Sequence, residues 1–300
     1  MKHGIRFFFA HYEKEYKNLT PVCLSKAASR RLPERGQPMS IELQKPYELI
    51  ELQYEGEFAT ITMNNPKRRN ALSLKHMLEL TDAFRKVGES SARGVFLAAN
   101  GPVFSAGHDF ADMAGQDLVA MRKMLKVCTA LMNAIQEIPQ PVLARVHGLA
   151  TAAGCQLVAT CDLAVASTEA GFATPGGKGG WFCTTPMVAV SRNIGRKRAL
   201  EMLLTGDVID AQTAADWGLV NRVVPPERLL QESQRLLEAA TRGSFISKGI
   251  GKQAYYAQID LPQEKAYAYA IEVMAAASQI PDAQEGMRAF LEKRKPNFEQ

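Results

Sequence analysis

Apolar and polar residues alternate from Ile50 to Met63 through Leu52, Tyr54, Phe58, Thr60 and Thr62, with Glu55-Gly56-Glu57 breaking the rhythm midway. A period of two predicts two short half-buried strands joined by a tight turn. Asn64-Asn65-Pro66 stops the second strand, and Ser73 caps a helix with Leu74, Met77, Leu78 and Phe84 on its apolar face. Gly94 to Ala99 is an unbroken apolar run and predicts a buried strand, closed by Asn100-Gly101-Pro102. A long helix follows around residues 117–137 and ends at Pro139. Pro141 to Val146 reads as a strand, Leu157 to Thr160 as helix and Asp162 to Ala166 as strand again. After Thr205 the pattern becomes mainly helical, with one helix started by Pro225-Pro226 and another from Ala266 to Ser278. The fold class is α/β, with β-containing turns repeating about every 45 residues around a shared core.

Charge changes this picture in one place. Of 36 Lys/Arg and 31 Asp/Glu, residues 1–38 hold eight basic and three acidic side chains, so the remainder balances. A basic surface for nucleic acid would have to lie in that extension, where no binding module is visible, so no nucleic-acid partner is expected. Phe7-Phe8-Phe9-Ala10 is too short to span a membrane, and no longer apolar stretch exists. Five cysteines in odd number, without a C-x-x-C pair, suit reduced thiols in an intracellular compartment. Compact sequence logic begins after Met39, so residues 1–38 are expected to be disordered or an upstream addition. A cytoplasmic location is expected, or the mitochondrial matrix if those basic residues are a transit peptide. Residues 39–235 are expected to form the core domain and 236–300 a helical oligomerisation region.

Two segments carry candidate chemistry. Ala106-Gly107-His108-Asp109 follows a strand, and Ala152-Ala153-Gly154 opens an apolar helix whose first N–H groups lack helical partners. Small residues there let a ligand approach the backbone, and two converging N–H groups would stabilise an oxyanion; tight turns against a packed helix remain the alternative. Gly176-Gly177-Lys178-Gly179 lacks P-loop spacing, Ser105 lacks the glycine of a nucleophile elbow, and no H-E-x-x-H pair or other metal site is present.

Phe104-Ser105-Ala106-Gly107-His108-Asp109, Ala152-Ala153-Gly154-Cys155-Gln156, Cys161-Asp162-Leu163-Ala164 and Phe172-Ala173-Thr174-Pro175 resemble the crotonase (enoyl-CoA hydratase/isomerase) superfamily. Glu201 to Gly206, Trp217 to Val220 and Glu285 to Pro296 continue the match in order. The resemblance implies a ββα spiral core with a C-terminal helical trimerisation region, a homotrimer or a hexamer formed as a dimer of trimers, and a coenzyme A thioester as ligand without a prosthetic group. It assigns the oxyanion donors to the N–H groups of His108 and Ala153, with Ala106, Asp109 and Phe110 beside them. It puts Lys67, Arg68 and Arg69 near the CoA phosphates, and Phe290 and Lys293 near CoA from a neighbouring subunit.

At the positions of the two hydratase glutamates the chain carries Gln156 and Gly176. Hydration by a glutamate pair is therefore not expected. Three substitutes come into view: His108, since histidine as a type titrates near neutrality, with a packed or solvent-facing ring as the alternative; Asp112, with an exposed helix-start carboxylate as the alternative; and a bicarbonate held near Lys178. The last follows from Gly176 to Phe182, which resembles the dihydroxynaphthoyl-CoA synthases; a flexible glycine-rich loop over the acyl pocket is the alternative. A non-catalytic acyl-CoA carrier or sensor is the alternative to an enzyme of fatty-acyl-CoA metabolism.

Overall fold

The computed structural model describes residues 47–298, and Tyr47–Gln300 is one compact unit. The expectations for residues 1–38 lie outside the described residues. Strands β1 (Ile50–Glu55) and β2 (Phe58–Met63) form the expected antiparallel hairpin, with Glu55 opposite Phe58 across a turn at Gly56. β2 pairs in parallel with β3 (Gly94–Ala99). β4 (Val103–Ser105) then leaves for a second sheet. The first sheet continues in parallel with β5 (Val142–Val146), and the second takes β6 (Leu149–Thr151) beside β4. β7 (Leu163–Ser167) joins the first sheet and β8 (Gly171–Ala173) the second. A short antiparallel strand, β9 (Ile209–Asp210), closes the small sheet, and β10 (Arg222–Val224) ends the large one. The orders are β1-β2-β3-β5-β7-β10 and β4-β6-β8-β9.

Helix α1 (Leu74–Glu89) starts at Ser73, whose hydroxyl accepts the His76 N–H. Its buried stripe is Met77, Leu80, Phe84 and Val87. Leu78, expected on that face, is 52% exposed, because one residue beyond Met77 is a 100° rotation away from the sheet. The same rotation buries His76, which the apolar pattern did not single out. α2 (Leu118–Glu137) is capped by Asp117, and α3 (Ala153–Thr160) is buried along its whole length. α4 (Pro186–Asn193), α5 (Arg196–Thr205) and α6 (Ala211–Trp217) follow.

α7 (Leu229–Thr241) covers the outer face of the large sheet. Its Leu229 and Leu237, two turns apart, pack with Phe96, Leu143 and Val165. The domain boundary expected at 235/236 therefore falls inside a helix that belongs with the core. α8 (Phe245–Gln258), α9 (Gln263–Ala277) and α10 (Pro281–Leu291) complete the chain.

One buried polar knot ties α8 to the core. Lys252 Nζ donates to the carbonyls of Ile135 and Gln140, both at 2.8 Å, and pairs with Asp162 at 2.7 Å. Asp162 also accepts the Tyr256 hydroxyl at 2.8 Å and the Val142 N–H at 2.7 Å. Burial lowers the Lys252 pKa and raises that of Tyr256. Removing one member of such a pair leaves the other charge buried without its partner. Lys252→Met should therefore cost roughly 3 kcal/mol in urea unfolding, and an unchanged midpoint would rule out this knot as the clasp for α8.

Candidate active site

Strands β4, β6 and β8 are adjacent and parallel, so the segments after them emerge together at one edge of the small sheet. These segments are 106–109, 152–154 and 174–176. Parallel sheets bind ligands at the carboxyl ends of their strands, and the two motif segments meet there. The contact depends on Gly107, which has φ +85°: a Cβ there would lie 2.9 Å from the Ala152 Cβ and 3.1 Å from the Ala153 nitrogen. On the other side the 66–72 segment clamps 106–109. Ala106 N–H donates to Arg69 O at 3.0 Å, Leu72 N–H to Gly107 O at 2.7 Å and Asp109 N–H to Leu72 O at 3.3 Å.

The organiser of that clamp is Asn70, which the sequence pattern does not single out. It is buried with φ +49°, a left-handed conformation that asparagine tolerates. Its Oδ1 accepts the Asn65 N–H, its Nδ2 donates to Asn100 O and Val103 O, and its carbonyl accepts the Ser105 hydroxyl. An asparagine within a short polar turn was the available signal.

The backbone N–H groups of His108 and Ala153 have no hydrogen-bond partner among the described residues. Unpaired buried N–H groups are rare and costly, and here two stand on neighbouring segments. Ala153 is fully buried, one residue behind Ala152, which lines the cavity. Ala152 holds φ +49°, ψ −117°, a glycine-like conformation that stores of the order of 1–3 kcal/mol of strain in a residue with a Cβ.

In front of these groups lies a cavity of about 320 Å³. Ala106, His108, Asp109, Phe110, Ala152 and Gly176 line it together with Arg68, Ala71 and Leu125. Its wall continues through Trp181-Phe182-Cys183-Thr184-Thr185-Pro186; Trp181 and Phe182 lie in the loop expected over the acyl pocket, whereas residues 183–186 were not singled out as lining. Part of this wall was visible as an apolar run beside a glycine-rich turn, but nothing local showed that it folds back onto Gly176.

Gly176, which the resemblance sets at one glutamate position, leaves no room for a side chain. Its carbonyl accepts the N–H groups of Gly179 and Trp181, and its own N–H donates to Cys183 Sγ at 3.3 Å. A Cβ on Gly176 would stand 2.2 Å from the Trp181 carbonyl oxygen. No side chain fits until residues 181–183 move, so restoring glutamates at both positions would distort the wall rather than recreate a hydratase pair. Gln156, at the other glutamate position, is buried on α3 with its Oε1 3.9 Å from Cys128 Sγ, and it does not line the cavity.

The other expected site residues divide clearly. Asp109 accepts a two-pronged contact from Arg68, at 2.6 and 2.7 Å, and the Ala111 N–H. Lys67 and Arg69 are exposed and have no ion pair among the described residues. Asp112 is not an acid/base for the cavity: its Oδ2 accepts the Leu74 N–H at 2.8 Å, capping α1 alongside Ser73. Lys178 pairs with Asp207 and does not line the cavity, so the expected lysine-held bicarbonate loses its cation. Phe290, 83% exposed, borders a shallow surface hollow with Gly286, Met287 and Leu291, and neither it nor Lys293 lines the cavity.

His108 is the one titratable ring at the cavity. Its centroid is 6.5 Å from that of Trp181, and its Nε2 is buried without a partner. Burial pushes its pKa down to about 4, so the ring is neutral at pH 7. The covered Nε2 is cut off from water, which weakens the expectation that this nitrogen serves as the catalytic base.

The family model described as enoyl-CoA hydratase/isomerase matches residues 53–300. The chain belongs to the enoyl-CoA hydratase/isomerase family. It is 44% identical to mouse "Enoyl-CoA hydratase domain-containing protein 3, mitochondrial" over 240 residues, 79% of each chain. It is 40% identical to the human protein of that name over 287 residues, 92% of this chain and 93% of the other. Residues 39–300 make up about 87% of the sequence, so the human match reaches into residues 1–38. The fold agrees with the crystal structure of human enoyl coenzyme A hydratase domain-containing protein 3, at TM-score 0.81 and 40% identity, covering 84% of this chain and 100% of that one. An enoyl-CoA hydratase from Mycobacterium smegmatis gives TM-score 0.81 at 45% identity, covering 83% and 98%. The α/β architecture expected from sequence is thus that of the crotonase fold.

Burial makes a prediction about pH. The folded-state pKa of His108 is depressed, as is that of His76, again by burial. The unfolded chain therefore binds more protons than the folded one between about pH 6.5 and about pH 4, and stability falls as pH drops through that window. Wild type should lose about 2 kcal/mol more between pH 7 and pH 5 than His108→Gln, read by urea unfolding at fixed protein concentration. Parallel losses would show that the ring is hydrated in the folded protein.

Proposed function

We propose that this protein is an enoyl-CoA hydratase/isomerase-like enzyme of fatty-acyl-CoA metabolism that binds an acyl- or enoyl-CoA and stabilises its thioester enolate. The oxyanion rests on the N–H groups of His108 and Ala153. The observation that carries this reading is that these two donors are unpartnered on the adjoining segments that follow β4 and β6. Ala106, Asp109 and Phe110 flank the thioester. The free cations Lys67 and Arg69 suit the phosphates of CoA, with Arg68 spent on Asp109. Phe290 and Lys293, away from the cavity, act on CoA bound to a neighbouring subunit. Gln156 and Gly176 remove the glutamate pair, so ordinary hydration is not the reaction.

The strand–helix turns form a ββα spiral, and the last helices assemble a homotrimer or a dimer of trimers. Tyr267, Ile271 and Met274 lie along one stripe of α9 and are exposed, as are Met287, Phe290 and Leu291 on α10. The protein works in the mitochondrial matrix rather than the cytoplasm: the similarity to the human relative, named mitochondrial, extends into the basic residues 1–38.

A carrier or sensor reading is favoured by one specific fact, that the cavity offers no free carboxylate among the described residues. Acetoacetyl-CoA separates the two, because its enolate has its own absorbance. An oxyanion hole should raise the enolate fraction of the bound thioester at pH 7. Ala153→Pro deletes one donor at the first helical position, where proline is tolerated. The enolate-to-keto ratio should then fall roughly 100-fold, with circular dichroism unchanged. Bound acetoacetyl-CoA that stays fully in the keto form on wild type would leave only the carrier reading. For the assembly, Ile271→Asp with Met274→Lys should convert the trimer to monomer in sedimentation velocity, and an unaltered species would place the interface elsewhere.

A further inference from the structure

An oxyanion hole without a base restricts where the electrons of an enolate can come from. Two carboxylates, Asp109 and Asp112, stand near the cavity, and each is committed otherwise. Asp109 is held by Arg68 and the Ala111 N–H. Asp112 caps α1. Gln156 cannot ionise, and Gly176 cannot accept a side chain because the Trp181 carbonyl fills its place. The cavity wall formed by Trp181, Phe182, Cys183, Thr184, Thr185 and Pro186 carries no charged side chain, and the charged lining residues Arg68 and Asp109 are paired with each other. The hydroxyls of Thr184 and Thr185 have no hydrogen-bond partner among the described residues.

We infer that the substrate is a 2-carboxyacyl thioester of coenzyme A, which supplies the enolate electrons itself by losing carbon dioxide. The inference rests on the oxyanion reading above. The bond from C2 to the carboxylate breaks, and its electron pair forms the C1–C2 double bond of the enolate. The carbonyl electrons move onto the thioester oxygen, held by the His108 and Ala153 N–H groups. Carbon dioxide leaves as a neutral molecule, and C2 takes a proton from water; the hydroxide left behind combines with carbon dioxide to give bicarbonate. No basic side chain enters the sequence. The uncharged wall is matched to the same step. The hydroxyls of Thr184 and Thr185 orient the carboxylate without neutralising it, and a poorly solvated carboxylate is raised in energy relative to the charge-dispersed transition state. A cation in that wall would instead stabilise the starting carboxylate and slow its loss.

Methylmalonyl-CoA and malonyl-CoA are the probes, incubated with the full chain in heavy water and followed by mass spectrometry, with propionyl-CoA and acetyl-CoA alongside. The expected result is conversion to propionyl- and acetyl-CoA that carry deuterium at C2. Propionyl- and acetyl-CoA supplied directly should bind and gain none. Thr184→Val with Thr185→Val should raise KM for methylmalonyl-CoA about tenfold, the loss of two hydrogen bonds. Enzyme-dependent deuterium exchange into propionyl-CoA would reveal a base and overturn the proposal. Binding of methylmalonyl-CoA with its carboxylate retained would overturn it too, leaving the oxyanion reading intact. Failure of every CoA thioester to bind in calorimetry would instead sink the underlying site.

Discussion

The close approach of two backbones, at Gly107 against Ala152 and Ala153, is the constraint on which the site depends. It follows from sheet geometry. β4 and β6 are parallel neighbours, so the segments leaving their carboxyl ends must emerge side by side. A methyl group on Gly107 would push the two segments apart and separate the two unpartnered N–H groups. The strained Ala152 is the other side of this contact: its positive φ turns the chain sharply into α3 and leaves the Ala153 N–H without a helical acceptor. Strain of this kind persists only where surrounding structure over-determines it, and here the Ala152 N–H is held by Ala173 O at 2.9 Å.

The clamp made by residues 66–72 does the same for the other donor. Three backbone hydrogen bonds fix 106–109 against it, and Asn70 anchors the clamp to the turn after β3 and to β4. Arg69 and Asn70 both have positive φ, so the segment turns sharply enough to present its carbonyls inward and its cations outward. The same few residues thereby shape the His108 side of the cavity and leave Lys67 and Arg69 at the surface with no ion pair among the described residues.

Elements with strong periodicity were legible in the sequence, and so were motifs whose chemistry is local. The hairpin at 50–63 follows from its period of two, the strand at 94–99 from an unbroken apolar run, and the helix at 118–137 was expected around 117–137 with its end at Pro139. The paired donor segments were marked by their resemblance to the superfamily, because small residues before an apolar helix by themselves left tight turns as an equal alternative. Contacts between distant segments were not. Asp112 looks like a free carboxylate until α1 is seen to begin beside it, 38 residues earlier in the chain. Lys178 looks like an anion ligand until Asp207 is found next to it. α7 looked like a candidate boundary because its amphipathic pattern does not reveal that Leu229 and Leu237 seal the back of the large sheet.

Gly176 shows how an apparent deletion can be a constructed feature. Viewed as a string, the chain has lost a carboxylate and kept nothing in exchange. In three dimensions the space belongs to the Trp181 carbonyl, and the Gly176 carbonyl and N–H are both used to bend residues 179–183 into the cavity wall. A carboxylate there and this wall are mutually exclusive. Burial acts on His108 in the same direction, because a ring with a pKa near 4 stays uncharged at pH 7. Both features remove charge from the cavity, and on the proposed reading neutral surroundings there strengthen a hydrogen bond to a developing oxyanion. The 181–186 wall thus offers no charged group for proton removal, and on the proposal above the chemistry is governed by what the bound thioester itself can release.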